Sequence, residues 1–103
     1  MRTWSELQEY LQTTMGTDVK VYYQPPENLK LKYPCVVFEL SNALTQYATN
    51  NPYLVTKRYT VTLMTKTSDN HDMVDKILML PMCTFDRQFI SDLIVHDVFT
   101  IYF

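Results

Sequence analysis

Apolar positions along this chain change their period from segment to segment, and each change marks an element. Trp4, Leu7, Leu11 and Met15, with Tyr10 beside them, recur at helical spacing, while Glu6, Gln8, Glu9, Gln12 and Thr13 take the other face. Thr3-Trp4-Ser5-Glu6 before this stripe reads as a capping box, and Gly16 after it as a helix stop. Val19-Lys20-Val21-Tyr22 alternates with period two, and Gln24-Pro25-Pro26-Glu27-Asn28 then breaks regular structure. After Tyr33-Pro34, the run Cys35-Val36-Val37-Phe38-Glu39-Leu40 is nearly continuous in apolar character, which predicts a central strand covered on both faces.

Ser41 to Pro52 is polar, with Asn42, Gln46, Thr49, Asn50 and Asn51, yet it carries Leu44 and Tyr47. It reads as a long connection and as the first candidate interaction element. From Tyr53 to Lys66 the alternation is clean, with Tyr59, Val61 and Leu63 on one face and Arg58, Thr60, Thr62 and Met64 on the other. At ~3.3 Å per residue such a strand outruns a domain whose radius of gyration is about 13 Å. Part of it is therefore expected to project with residues 41–52 as a hairpin arm.

Ser68-Asp69-Asn70 reads as the cap of a second helix, with Asp72 near its positive end. Met73, Val74, Ile77, Leu78 and Leu80 form its stripe, and Pro81 ends it. Residues 83–90 form a strand. The last, Val95 to Phe103, sets Val95, Phe99, Ile101 and Phe103 on one face and Val98 and Tyr102 on the other. An apolar strand at a chain end must be paired to stay ordered, within the sheet or against another subunit. The order α-β-β-β-α-β-β predicts an α+β fold: a mixed or mostly antiparallel sheet, two helices packed on it, and a long protruding hairpin.

Length and composition narrow what such a fold can do. The chain has 103 residues, which is one domain, 1–103. Gly16 is its single glycine. Phosphate-cradling loops, dinucleotide fingerprints and nucleophile elbows each need two or more glycines at fixed spacing, so none can be built. Nine basic residues against eleven acidic ones, with a pI of about 5.5, leave no basic excess for binding a phosphate backbone. The charge is uneven. Residues 1–67 hold seven Lys/Arg and five Asp/Glu, and residues 68–103 hold two and six.

The start of the chain, Met1-Arg2-Thr3-Trp4-Ser5-Glu6, has no apolar leader, and no run reaches the ~20 apolar residues of a membrane span. The expectation is a protein made and kept in a cytoplasm, with no membrane partner. Cys35 and Cys83 lie in apolar runs without a Cys-x-x-Cys or Cys/His cluster. Buried free thiols are the expected state, with a disulfide as the alternative.

Two groups invite chemistry. Asp69, Asp72 and Asp75 with His71 resemble a cation site, but they lack the alternating oxygen ligands, glycine and terminal glutamate of a calcium loop, and helix capping accounts for them. Asp92, His96 and Asp97, with Asp86 nearby, place a histidine among carboxylates. No activated serine or cysteine accompanies them, so strand-end hydrogen bonding is the expected role, and Asp86-Arg87 reads as an ion pair or capped turn. No catalytic residue, metal or cofactor is assigned. Eight tyrosines and five phenylalanines exceed what so small a core can bury, and tyrosine favours interfaces. Tyr47, Asn50, Asn51, Pro52, Tyr53 and Arg58 are the expected contacts to a neighbour.

The last third of the chain is the most specific. Leu80-Pro81-Met82-Cys83-Thr84-Phe85-Asp86-Arg87-Gln88-Phe89, then Asp92, then His96-Asp97-Val98-Phe99-Thr100-Ile101-Tyr102-Phe103, resembles the tail-terminator or tail-completion proteins of long-tailed bacteriophages. Tyr33-Pro34-Cys35-Val36-Val37 is similar to that family's first core strand. Asn51-Pro52-Tyr53 with Lys57-Arg58-Tyr59-Thr60-Val61-Thr62 is similar to its long hairpin. In this resemblance Phe85, Asp86, Arg87, Asp92, His96, Asp97 and Phe99 are structural motif residues. Leu93 departs from it, standing where similar sequences tend to have asparagine.

The resemblance implies a virion part and not an enzyme. It implies a ring, expected to be a hexamer, that caps the tail tube protein and meets the head-tail connector protein. DNA would pass through the lumen without specific binding, past a lining of acids from residues 68–97. The protein would act at the head-tail interface after assembly in the host cytoplasm. A head-side neck adaptor or stopper, a small metal-dependent hydrolase using Asp92, His96 and Asp97, and an unrelated monomeric adaptor are the alternatives.

Overall fold

The computed structural model describes residues 3–26, 30–48, 51–67 and 69–103; for residues 42–48 and 51–56 the description covers the backbone alone. The elements are α1 (Trp4–Met15), β1 (Lys20–Tyr23), β2 (Cys35–Ala48), β3 (Asn51–Thr65), α2 (His71–Leu78), β4 (Cys83–Ser91) and β5 (Ile94–Tyr102). The five strands form one mixed sheet in the order β1-β2-β3-β5-β4. β1 is parallel to β2, and every other pair is antiparallel. This is the α+β architecture that the hydrophobic pattern predicts.

α1 forms where the stripe and its caps agree. The Thr3 hydroxyl accepts the Glu6 N–H at 3.4 Å, and Leu7, Leu11 and Met15 are buried. Gly16 stops the helix at φ 84°, donating its N–H to the Gln12 carbonyl at 2.9 Å. A Cβ there would meet nothing within 4 Å, so the backbone angle, not space, calls for glycine.

One face of the sheet carries the core. Register places Val21, Val36, Phe38, Tyr59, Val61, Leu63, Phe99 and Ile101 on that face, and they close on Leu7, Leu11, Met15 and Ile77 of the helices. Each such side chain contributes ~1.5–3 kcal/mol when fully buried. On the opposite face the β1–β2 connection brings Gln24, Pro25, Pro26 and Leu31 around a pocket shared with Val37, Glu39 and Met64. This cover explains why β2 reads as apolar on both faces. β5 lies between β3 and β4, so the apolar C-terminal strand is tied down inside the sheet.

The polar stretch after Leu40 is strand and not connection. β2 runs to Ala48 and pairs with Asn51 onward, so the stretch expected as a long connection is itself one strand of the projecting hairpin arm, a two-stranded ribbon. Polar side chains do not prevent pairing, because the ladder uses backbone groups. The β1 ladder stops at Tyr23↔Phe38, and the β5 ladder at Arg58↔Tyr102, where the Phe103 N–H still reaches the Lys57 carbonyl at 2.9 Å. Beyond these points 43–48 and 51–56 pair, among the described residues, with each other alone. At the root of the ribbon a register shift leaves Ser41 as the extra residue. Its Oγ donates to the Arg58 carbonyl at 2.8 Å and accepts from Arg58 Nε at 3.3 Å.

α2 also departs from expectation. Asn70 occupies its N-cap position but makes no side-chain cap bond, because its amide is turned into the core. Ser68, the other expected cap residue, lies outside the described residues.

Candidate assembly surface

The two edges of the sheet are unlike. At β1, Gln8 Nε2 of α1 donates to the Val21 carbonyl at 3.2 Å, and Gln12 Nε2 donates to the carbonyls of Val19 at 2.9 Å and Gly16 at 2.5 Å. The helix that packs on the sheet thereby closes that edge with its own amides. At β4, every residue from Thr84 to Ser91 is exposed, and among the described residues no side chain or strand bonds the outer edge. An edge of this length with apolar side chains is a template for pairing with another chain.

Register sorts the β4 side chains. Phe85 opposite Phe99 and Ile90 opposite Val95 lie on the helix side, and Thr84, Arg87 and Phe89 lie on the other. A bulge between Phe85 and Arg87 makes Asp86 the extra residue. Arg87 Nη1 meets Asp86 Oδ2 at 2.9 Å on the surface, and its guanidinium stands 5.9 Å from the centre of the Phe89 ring. Phe89 stacks on His96 with centroids 4.6 Å apart and planes 10° apart. The helix side of β4 leaves Ile90 68% exposed, and the following turn leaves Leu93 89% exposed.

That turn is strained. Asp92 and Leu93 have φ of 52° and 65°, the paired positive angles of a tight hairpin that asparagine and glycine tolerate best. A branched apolar residue there, held in the left-handed region and in water, gains nothing from local folding. Met79 and Met82 are also exposed, at the far end of α2 and before β4.

The residues singled out by sequence separate clearly. Phe99 is core, with Phe85 edge-on to it at 5.5 Å. Asp97 is only 1% exposed and accepts from Asn70 Nδ2 at 2.7 Å and from Gln88 Nε2 at 2.6 Å. Asn70 Nδ2 also reaches Thr65 Oγ1 at 3.0 Å. His96 is half-buried on the opposite face, its Nδ1 at 3.0 Å from the Ile94 carbonyl. Adjacent residues of a strand point to opposite faces, so His96 and Asp97 do not converge, and Asp92 is held in the turn. Asp69, Asp72 and Asp75 are exposed along the start of α2.

Among the expected contacts, Arg58 pins the root of the ribbon through Ser41. Asn50 lies outside the described residues, as do the side chains of Tyr47, Asn51, Pro52 and Tyr53. The aromatic surplus is partly taken up by a ladder on the helix side: Trp4 stacks on Tyr23 at 4.5 Å, Tyr23 meets Phe38 at 4.9 Å, and Phe38 meets Tyr59 at 6.0 Å.

Both cysteines are free. Cys35 on β2 and Cys83 on β4 are separated by β3 and β5 in the sheet, too far for a bridge within one copy. Burial pushes each thiol up to about 11. Neither is an activated nucleophile.

Sequence reading missed Gln8, Gln12, Gln88, Ile90 and Leu93 as determinants of this surface. The signals available were the i, i+4 spacing of Gln8 and Gln12 facing an edge strand, and a leucine placed directly after an aspartate in a hairpin turn. No protein-family model matches the chain, and no curated protein matches it.

Proposed function

We propose that the chain is a structural subunit of a long-tailed bacteriophage: a tail terminator that forms a ring on the end of the tail tube and joins it to the head connector. The observation that carries this reading is the inequality of the two sheet edges, one closed by Gln8 and Gln12 and one bare along β4. A subunit built for head-to-tail contact needs such a difference, since contacts between unlike surfaces close into rings when the rotation permits. The ribbon beyond the sheet supplies a second, projecting surface. The resemblance of residues 33–103 to tail terminators supplies the biological setting.

Of the acids expected to face the lumen, Asp97 is withdrawn, because it is buried and bonded inside the subunit. Asp69, Asp72, Asp75, Asp86 and Asp92 are exposed and remain available to repel the phosphates of passing DNA. In this role the chain works by matching surfaces: one ring face stops tube growth and the other receives the connector.

Native mass spectrometry of the purified chain, alone and mixed with tail tubes, tests the reading. The expected result is a ring-sized oligomer, or one that forms on tube ends and halts their elongation. A strict monomer that never binds tubes overturns it. Binding to connectors in preference to tubes would instead favour the head-side adaptor or stopper.

A further inference from the structure

We infer that the bare edge of β4, along Arg87–Ser91 after the bulge, receives the ribbon of a neighbouring copy, so that the subunit contact is a sheet continued across two chains. This rests on the reading of the chain as a ring subunit. The occupant is argued from what the two surfaces share.

An isolated two-stranded ribbon is marginal in water, and among the described residues 43–48 with 51–56 have a third strand on neither side. Among the described residues β4 has no neighbour on its outer side. Natural edges are usually guarded by lysine or another unpaired charge. Here no charged residue occurs between Glu39 and Lys57, and the charges of β4, Asp86 and Arg87, satisfy each other at 2.9 Å. Neither surface opposes the other electrostatically.

Dimensions agree as well. One arm of the ribbon, 42–48, extends about 23 Å at ~3.3 Å per residue, and Arg87–Ser91 about 17 Å. Phe89 and Ile90, exposed on opposite faces of β4, would each cover part of the incoming strand. The competing arrangement, β4 against β4 about a two-fold axis, meets the Asp86 bulges as soon as it extends past Arg87, and it leaves the ribbon without a third strand. The β1 edge is closed to the ribbon by Gln8 and Gln12.

The test uses the full chain in a Cys35→Ala, Cys83→Ser background. A copy carrying Ser91→Cys is mixed with a copy carrying Thr45→Cys and treated with a short bis-maleimide, which tolerates a small error of register. The expected product is a covalent dimer in the mixture, with none in either sample alone. Ile90→Lys on β4, or Thr45→Lys on the ribbon, is expected to abolish the oligomer while circular dichroism stays unchanged and melting becomes independent of protein concentration.

Links between Ser91→Cys copies alone overturn the inference in favour of the symmetric pair. Rings that form on tubes without the mixed link, or that survive both lysine variants, overturn the inference and leave the tail-terminator reading standing. Mixed links in a protein that never engages tubes do the reverse. A wild-type chain that never associates overturns both.

Discussion

Asn70 Nδ2 donates to Asp97 Oδ2 at 2.7 Å, fastening the residue before α2 to the interior of β5. The bond takes the side chain expected to cap the helix and uses it to satisfy a buried carboxylate instead. Asn70→Ala removes that donor and leaves Oδ2 of a 1% exposed carboxylate without its partner. We expect a loss of about 2–3 kcal/mol, more than the ~1 kcal/mol of an ordinary cap, read from the urea midpoint. A loss of only cap size would mean that the carboxylate finds water.

Leu93 is held at φ 65° and is 89% exposed. Replacing it with glycine or asparagine removes left-handed strain of roughly 1 kcal/mol without giving up packing. For a domain of this size that is a rise of about 4–8 °C in melting temperature. If Leu93 instead lies in a subunit contact, the same variant will melt higher as a monomer and assemble less well, a combination that calorimetry and light scattering together detect.

The thiols of Cys35 and Cys83 are raised by burial from the ordinary 9.0 to about 11. Because the folded values exceed the unfolded ones, stability is fully present below about pH 9 and is lost as pH climbs through the folded values. Tyr59 is raised too, by burial first and by Tyr23 second, and acts in the same direction. Urea midpoints measured from pH 8 to 11 should therefore fall, and Cys35→Ala should flatten the fall. Alkylation of either native thiol at pH 8 should be slower than that of a free cysteine by about 100-fold from thiolate population alone.

Gln8 and Gln12 fasten α1 to the edge of β1. Changing both to alanine should cost about 1–3 kcal/mol, since Gln8 gives up one side-chain bond to a backbone carbonyl and Gln12 gives up two. It should also expose those carbonyls, giving concentration-dependent association by light scattering that the native chain lacks through this edge. Destabilisation without new association would mean that the edge is protected by something other than these amides.

Much of the fold was legible because burial imposes period. Tyr59, Val61 and Leu63 are buried and Thr60, Thr62 and Met64 half-buried, as their alternation implies. The same holds for Val95, Phe99 and Ile101 on β5. Residues 41–52 were legible as part of a projecting hairpin arm but not as strand, since their polar residues do not alternate. The assembly surface was harder still. Ile90 and Phe85 are exposed because β4 lies at the edge, a property of strand order and not of local sequence. His96 and Asp97 look like a pair in the sequence and are divided by the pleat.

The amides of Gln8 and Gln12 also fix how many partners the sheet can have. A sheet open on both flanks can be extended from either, and nothing in its geometry tells it when to stop. With the β1 flank occupied from within, pairing sheet edge to sheet edge is monovalent and ends at two copies. Any larger closed assembly must recruit a surface of another kind, and outside the sheet proper the chain offers the ribbon. A helix lying over one strand thus limits the valence of the whole molecule, and it does so with two glutamines that carry no charge and would pass for solvent-facing residues.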